Sequence, residues 1–143
     1  MRKGAIYILT VTVLGWSLAS SCGGKGSVSG RNVATDTTGT AVIDFDKLEH
    51  NFGSIKEGEK VGCIFSFTNT GDADLILTAA SASCGCTVPR YEKKPVAPGG
   101  KGAIEVIFDS SGRTGLQAKT VVVQSNAENN LIILRIIAEI KSE

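Results

Sequence analysis

The sequence predicts an all-β domain, an immunoglobulin-like β-sandwich of about seven strands over residues 41–143. Three observations carry this. From Ala41 onward apolar residues recur with period 2 or in short runs, and no stretch has the 3.6 period of a helix. Turn-forming residues punctuate the runs. The 103 residues hold about seven such runs, a spacing that suits a sandwich, with a small β-barrel as second choice. The antibody variety is not expected. It needs a core Trp, and the only one is Trp16, far upstream; it needs two Cys on well-separated strands, and Cys63 and Cys84 are 21 residues apart.

Ala41 to Phe45 opens the first strand, which Leu48 to Phe52 continues past a kink. Lys56-Glu57-Gly58-Glu59 is a polar turn. Val61, Cys63, Phe65 and Phe67 then alternate with smaller or polar residues, the pattern of a half-buried strand. Asn69-Thr70-Gly71-Asp72 is a turn signal, because Asn and Gly tolerate positive φ. Asp74 to Ala80 is the next strand. After Thr87 the residues Pro89, Pro95, Pro98, Gly99 and Gly100 predict loop, since Pro donates no ladder hydrogen bond. Ile104, Val106 and Phe108 mark a strand, and Ser110 to Gly115 a turn. Lys119 to Gln124 and Leu131 to Ile140 are the last two strands. The final strand is apolar on both faces, Ile132, Leu134 and Ile136 on one and Leu131, Ile133 and Ile137 on the other. It is either central and covered on both sides, or an edge that another chain covers.

Upstream of the domain lies a different kind of sequence. Arg2 and Lys3 give a positive start, Gly4 to Gly24 carry no charge, and Ala5 to Leu18 are mostly apolar. Small residues then precede Cys22. This is the layout of a secretory signal peptide over residues 1–21. Leu18-Ala19-Ser20-Ser21-Cys22 resembles a bacterial lipobox, which implies cleavage before Cys22 and acylation of its thiol. An uncleaved transmembrane anchor is the plainer reading, since 21 uncharged residues just span a bilayer, but Gly4, Thr10, Thr12 and Gly15 interrupt the apolar part. Residues 22–40 form a flexible tether: Gly23 to Thr40 hold five Gly, two Ser and four Thr and almost nothing large and apolar. Such a segment spans roughly 20–25 Å on average.

Fifteen basic residues less Arg2 and Lys3 leave 13 in the mature chain, against 14 acidic. With no basic block, nothing favours nucleic acid or an anionic surface. The one histidine, His50, is the sole base available to a Ser/His/Asp or Cys/His arrangement, and it reads as an ordinary strand residue. Pro98 to Gly102 precede a strand, so they are a turn and not a phosphate loop.

Ser83-Cys84-Gly85-Cys86-Thr87 is the one cluster able to carry chemistry. Two thiols one residue apart can bridge, cycle as a dithiol, or bind a soft metal. Zinc prefers four ligands, and Cys63 and His50 are the only other candidates. A direct Cys84–Cys86 bridge across an extended strand puts the Cα atoms near the limit of about 7 Å, which predicts a strained and reducible bond. Cys63 shares a face with Val61, Phe65 and Phe67 and reads as a small buried hydrophobe. Gly85 reads as the residue that lets the backbone make an unusual turn.

Phe52-Gly53-Ser54-Ile55, Glu57-Gly58-Glu59 and Phe67-Thr68-Asn69-Thr70-Gly71, followed by Ser83-Cys84-Gly85-Cys86-Thr87, resemble the bacterial domain-of-unknown-function family 1573. Pro95 to Gly99, Gly112-Arg113-Thr114-Gly115 and Ser125-Asn126 follow in that family's order, so the resemblance covers roughly residues 43–139. It implies an immunoglobulin-like sandwich of the major-sperm-protein and cilia-associated type, envelope location and no established activity. Cys84 and Cys86 match its motif; Cys63 does not belong to it.

The resulting expectation is a non-enzymatic lipoprotein, anchored by lipid on Cys22, whose sandwich binds an envelope protein or glycan, with no cofactor. A thiol-based redox or soft-metal protein using Cys84 and Cys86 is the alternative, and a plain spacer the third. Gly23 after the lipidated Cys supplies no acidic retention signal, which favours the outer membrane.

Overall fold

The computed structural model describes residues 39–141 and contains eight strands. They are β1 (Ile43–Phe45), β2 (Glu49–Lys56), β3 (Lys60–Asn69), β4 (Leu77–Ala82), β5 (Thr87–Tyr91), β6 (Lys101–Asp109), β7 (Gly115–Ser125) and β8 (Leu131–Lys141). One four-stranded sheet has the order β1-β3-β6-β5 and the other β2-β8-β7-β4. These orders match the two sheets of a constant-type immunoglobulin sandwich, ABED and GFC, with the first strand split into β1 on one sheet and β2 on the other. The predicted signal peptide, Cys22 and all but the last two residues of the tether lie outside the described residues.

The split first strand corrects the single kinked strand expected from the sequence. β1 pairs antiparallel with β3, whereas β2 pairs parallel with β8. The switch is visible in two backbone bonds: Asp46 N donates to Ser66 O at 3.0 Å in one sheet, and Leu48 O accepts from Arg135 N at 2.8 Å in the other. Asp46 and Lys47 are both exposed, and a pair of adjacent charges cannot continue a strand that buries every second residue. Within β2 the register slips between Asn51 and Ser54, where Gly53 takes a φ of 71° and Asn51 Oδ1 accepts its N–H at 2.8 Å.

A second correction concerns Pro89. It lies in a strand, β5, opposite Val106. Cys86 O accepts from Asp109 N at 2.9 Å, so by alternation Val88 and Arg90 turn their backbone groups to β6. Pro89 then turns its missing donor to the open edge of the sheet, where nothing needs it. The expected strand Asp74–Ala80 is also shifted: Leu75 makes only an isolated bridge with Val96, and the ladder with β7 begins at Leu77.

The core follows the predicted phase. Phe65, Phe67, Ile104, Val106, Phe108, Val121, Val123, Leu134 and Ile136 are each at most 2% exposed. Phe67 lies against Gly102 so closely that any Cβ there would collide with the ring. The buried polar residues are tied down. Asn69 Nδ2 donates to Ala73 O at 2.7 Å and Val96 O at 2.9 Å, while its Oδ1 accepts from Gly71 N at 3.1 Å. Ser110 Oγ lies 2.9 Å from both Lys56 O and Glu59 O, locking the β2–β3 turn.

β8 is central in its sheet, but only one face is covered by the domain. Leu134, Ile136, Ala138 and Ile140 point inward and are buried. Leu131 and Ile133 point outward and are 56% and 53% exposed. The expectation of cover on both sides therefore does not hold within residues 39–141.

Candidate functional site

Two features stand out on this frame: the cysteine turn and the open outer face of β7 and β8. The turn crosses from one sheet to the other between β4 and β5. Its start is fixed to β7, Ser83 N donating to Thr120 O at 2.9 Å, and its end to β6 through the Asp109 N–Cys86 O bond. Within it Thr87 N donates to Cys84 O at 3.3 Å.

Cys84 and Cys86 are joined by a disulfide, with Cα atoms 5.3 Å apart. The extended geometry assumed from the sequence does not apply. The turn brings the Cα atoms inside the usual bridging range, so the reach demands no stretching of the backbone. Cys84 is half-buried, whereas Cys86 is 8% exposed and packs on the core. The Thr87 hydroxyl lies 3.8 Å from each sulfur. Thr87 itself is buried, because it is the first inward residue of β5.

Gly85 corrects another expectation. It is not among the glycines with positive φ, and a Cβ placed on it would meet nothing within 4 Å. Neither backbone conformation nor crowding requires glycine there. Its effect is to leave the outside of the turn bare.

The bridge is a local clip. Closing a loop with a sequence separation of 2 contributes only about 1.5 kcal/mol on the chain-entropy account. The two sheets are held by their shared core and would remain joined without it.

Cys63 does not join the pair. It is free and buried on β3 opposite Val106, and burial pushes its thiol up to about 11, against a smaller downward pull from Lys47. At ordinary pH it is a neutral apolar group. His50 is half-buried on β2, with Nδ1 3.0 Å from Lys47 Nζ and its ring edge-on to Phe52 at 4.6 Å. Burial first, and then the Lys47 charge, hold its pKa below the ordinary histidine value. Among the described residues no group of three or more His, Cys, Asp or Glu is gathered as for a metal ion.

The outer face of β7 and β8 mixes apolar residues with Gln124, Arg135 and Glu139. Val122 stands opposite Ile133, Ala118 opposite Ile137 and Leu116 opposite Glu139. Leu116 is 74% exposed. Arg135, opposite Thr120, interrupts this face between Ile133 and Ile137 in an exposed ion pair with Glu49 at 3.8 Å, and it separates Leu131 and Ile133 from Leu116. The two-sided apolar pattern of the last strand was the sequence signal for this face; the Leu116 contribution had no such signal, because it falls before the predicted start of its strand.

The family model for proteins of unknown function designated DUF1573 matches residues 43–140. No curated protein sequence matches the chain. Solved structures that share the fold include the following three. A protein of unknown function from Porphyromonas gingivalis W83 is 18% identical, with a TM-score of 0.62 over 70% of this chain and 47% of that one. The seventh PapD-like (ASH) domain of human CEP192 is 9% identical, with a TM-score of 0.61 over 73% of this chain and 88% of the domain. WR4, a major-sperm-protein family member from C. elegans, is 17% identical, with a TM-score of 0.52 over 67% of this chain and 96% of its own. The chain thus spans about half the length of the Porphyromonas protein, and at these identities the likeness establishes the fold alone.

Proposed function

The chain belongs to the DUF1573 family, a membership that carries a fold and no reaction, and from it we propose a lipid-anchored, non-enzymatic interaction module of the bacterial cell envelope. Acylated Cys22 holds it to the membrane, in the outer membrane where there are two, and residues 22–40 let the sandwich stand away from the surface. The partner is an envelope protein or glycan.

One observation supports the binding role: the apolar patch formed by exposed Leu131 and Ile133 on β8 and half-buried Val122 beside them on β7, the two longest strands. Single exposed apolar residues are ordinary, but several side by side on a rigid sheet mark a contact surface. Aliphatic side chains of this kind suit a protein surface better than a sugar. The test is in-cell cross-linking from a photoreactive residue at position 133, followed by mass identification. A discrete adduct that Leu131→Asp removes, with the domain still folded, is the expected result. Labelling that is diffuse and indifferent to that substitution would count against the reading.

A further inference from the structure

We infer that the Cys84–Cys86 bridge is a thiol-exchange site, in which Cys84 takes the incoming sulfur and the Thr87 hydroxyl stabilises the departing Cys86 thiolate. The site is separate from the β7–β8 face and does not depend on it.

Four observations lead here. The bridge joins residues that the turn already holds together, so its opening leaves the sandwich connected. Its two sulfurs are unequal: Cys84 is half-buried and Cys86 nearly enclosed. The outside of the turn is bare at Gly85, with nothing within 4 Å of where a Cβ would stand and no conformational need for glycine. A buried hydroxyl, Thr87 Oγ1, stands 3.8 Å from both sulfurs.

Exchange depends on access to the attacked sulfur and on how well the leaving thiolate is stabilised. Access selects Cys84. Thr87 Oγ1 is equally far from both sulfurs, so access alone sets the direction, and the departing Cys86 thiolate, which has lost water, depends on that hydroxyl as donor. A threonine hydroxyl donates one proton, and in the closed bridge it meets only the weak acceptor of a disulfide sulfur. Once Cys86 becomes an anion, the same contact tightens into a charge-assisted hydrogen bond.

The chemistry balances with a thiol donor. A donor thiolate attacks Cys84 Sγ and forms a mixed disulfide, and the Cys84–Cys86 bond pair departs on Cys86 Sγ. A second donor thiolate attacks the donor sulfur of that mixed disulfide and releases the Cys84 thiolate. Two electrons have passed to the bridge, the donor has become a disulfide, and the two protein thiolates take up the two protons the donor thiols gave to solvent. The donor class is a dithiol protein or a small-molecule thiol; run backward, the reduced Cys84 and Cys86 thiols reduce a disulfide of that class and the bridge re-forms.

The test uses the full mature chain with reduced glutathione as probe. Rapid alkylation and peptide mapping locate the glutathione, and stopped-flow alkylation gives the rate of bridge opening. Glutathione on Cys84 with alkylated Cys86 is expected, and Thr87→Val should slow opening about tenfold while Thr87→Ser restores it. Glutathione on Cys86, wild-type rates in folded Thr87→Val, or a bridge that resists the thiol until the domain unfolds would each overturn the inference. Should Thr87→Val not fold, the position of glutathione in the wild-type protein decides alone.

Discussion

The side chain of Asn129 holds Ile43 in both directions: its Oδ1 accepts the Ile43 N–H at 3.1 Å, and its Nδ2 donates to the Ile43 carbonyl at 2.7 Å. The carboxamide copies one rung of a β-ladder, and it fastens the first strand to a turn 86 residues away. β1 has only three residues, so this rung is a large share of its attachment. Asn129→Ala should cost about 1–3 kcal/mol, two hydrogen bonds' worth. Amide exchange at Ile43 should accelerate well before exchange in β6. Unchanged protection at Ile43 would show that β1 is held by its pairing with β3 alone.

Phe67→Ala should destabilise the domain by about 3–5 kcal/mol, through lost burial and the cavity left beside Gly102. The reverse substitution on the other side, Gly102→Val, should also destabilise, because the ring has nowhere to go. Denaturant midpoints of the two variants check both. A stable Gly102→Val protein would mean the Phe67 ring can swing aside.

Acid should weaken the fold through Asp109. Hydrogen bonds from Ser111, and then Lys60 at 3.1 Å, hold its carboxyl at about 2, below the ordinary 3.8. A carboxyl depressed in the folded state adds stability above its unfolded value and loses it as pH falls toward the folded one. The loss should therefore fall between about pH 4 and pH 2, and Asp109→Asn should flatten the stability curve there. His50 acts in the same sense higher up: its lowered pKa makes protonation below its ordinary 6.5 unfavourable to folding, so stability should also fall as pH drops through that value. His50→Gln should remove this second slope while leaving the first.

Cleavage before Cys22 removes Trp16, the single tryptophan. Membrane-extracted protein should therefore show tyrosine emission only. Cys22→Ser should release the protein from the membrane fraction, because the anchor is acyl chain at about 0.8 kcal/mol per buried CH₂. Tryptophan emission from the purified membrane form would rule the cleavage out.

The inward phase of the long strands was legible because alternation from Val61 to Phe67 and from Ile104 to Phe108 admits one register. Sheet membership was less so. The charges at Asp46 and Lys47 mark a break after Phe45, but nothing local says to which sheet the segment from Glu49 then goes. Pro89 misled for a related reason: proline forbids a central strand but not an edge, and edges exist only once the sheet is assembled. Asn69, Asn126 and Asn129 look like turn formers, yet each carboxamide ties distant backbone together; Asn126, for example, accepts from Ile76 N at 2.7 Å and donates to Asp74 O at 2.9 Å. For the cysteines, the motif marked the right residues. Its wrong extended geometry came from reading a strand through what is a turn, and Thr87 could be assigned no contact until the turn was seen.

The parallel pairing of β2 with β8 bears on how the domain meets mechanical load. Residue 41 leaves the sandwich at the end where β1 begins, and residue 141 at the other, where Lys56 pairs with Lys141. Tension between these points slides β2 and β8 past each other along their length, so the bonds from Glu49–Arg135 to Lys56–Lys141 share the force. Tension between residues 41 and 69, at one end, would instead peel β1 from β3 one bond at a time. Single-molecule pulling should thus find the first geometry markedly stronger. A domain loaded in that way resists being drawn apart while a partner tugs at it, and it does so by topology, without any covalent staple between its sheets.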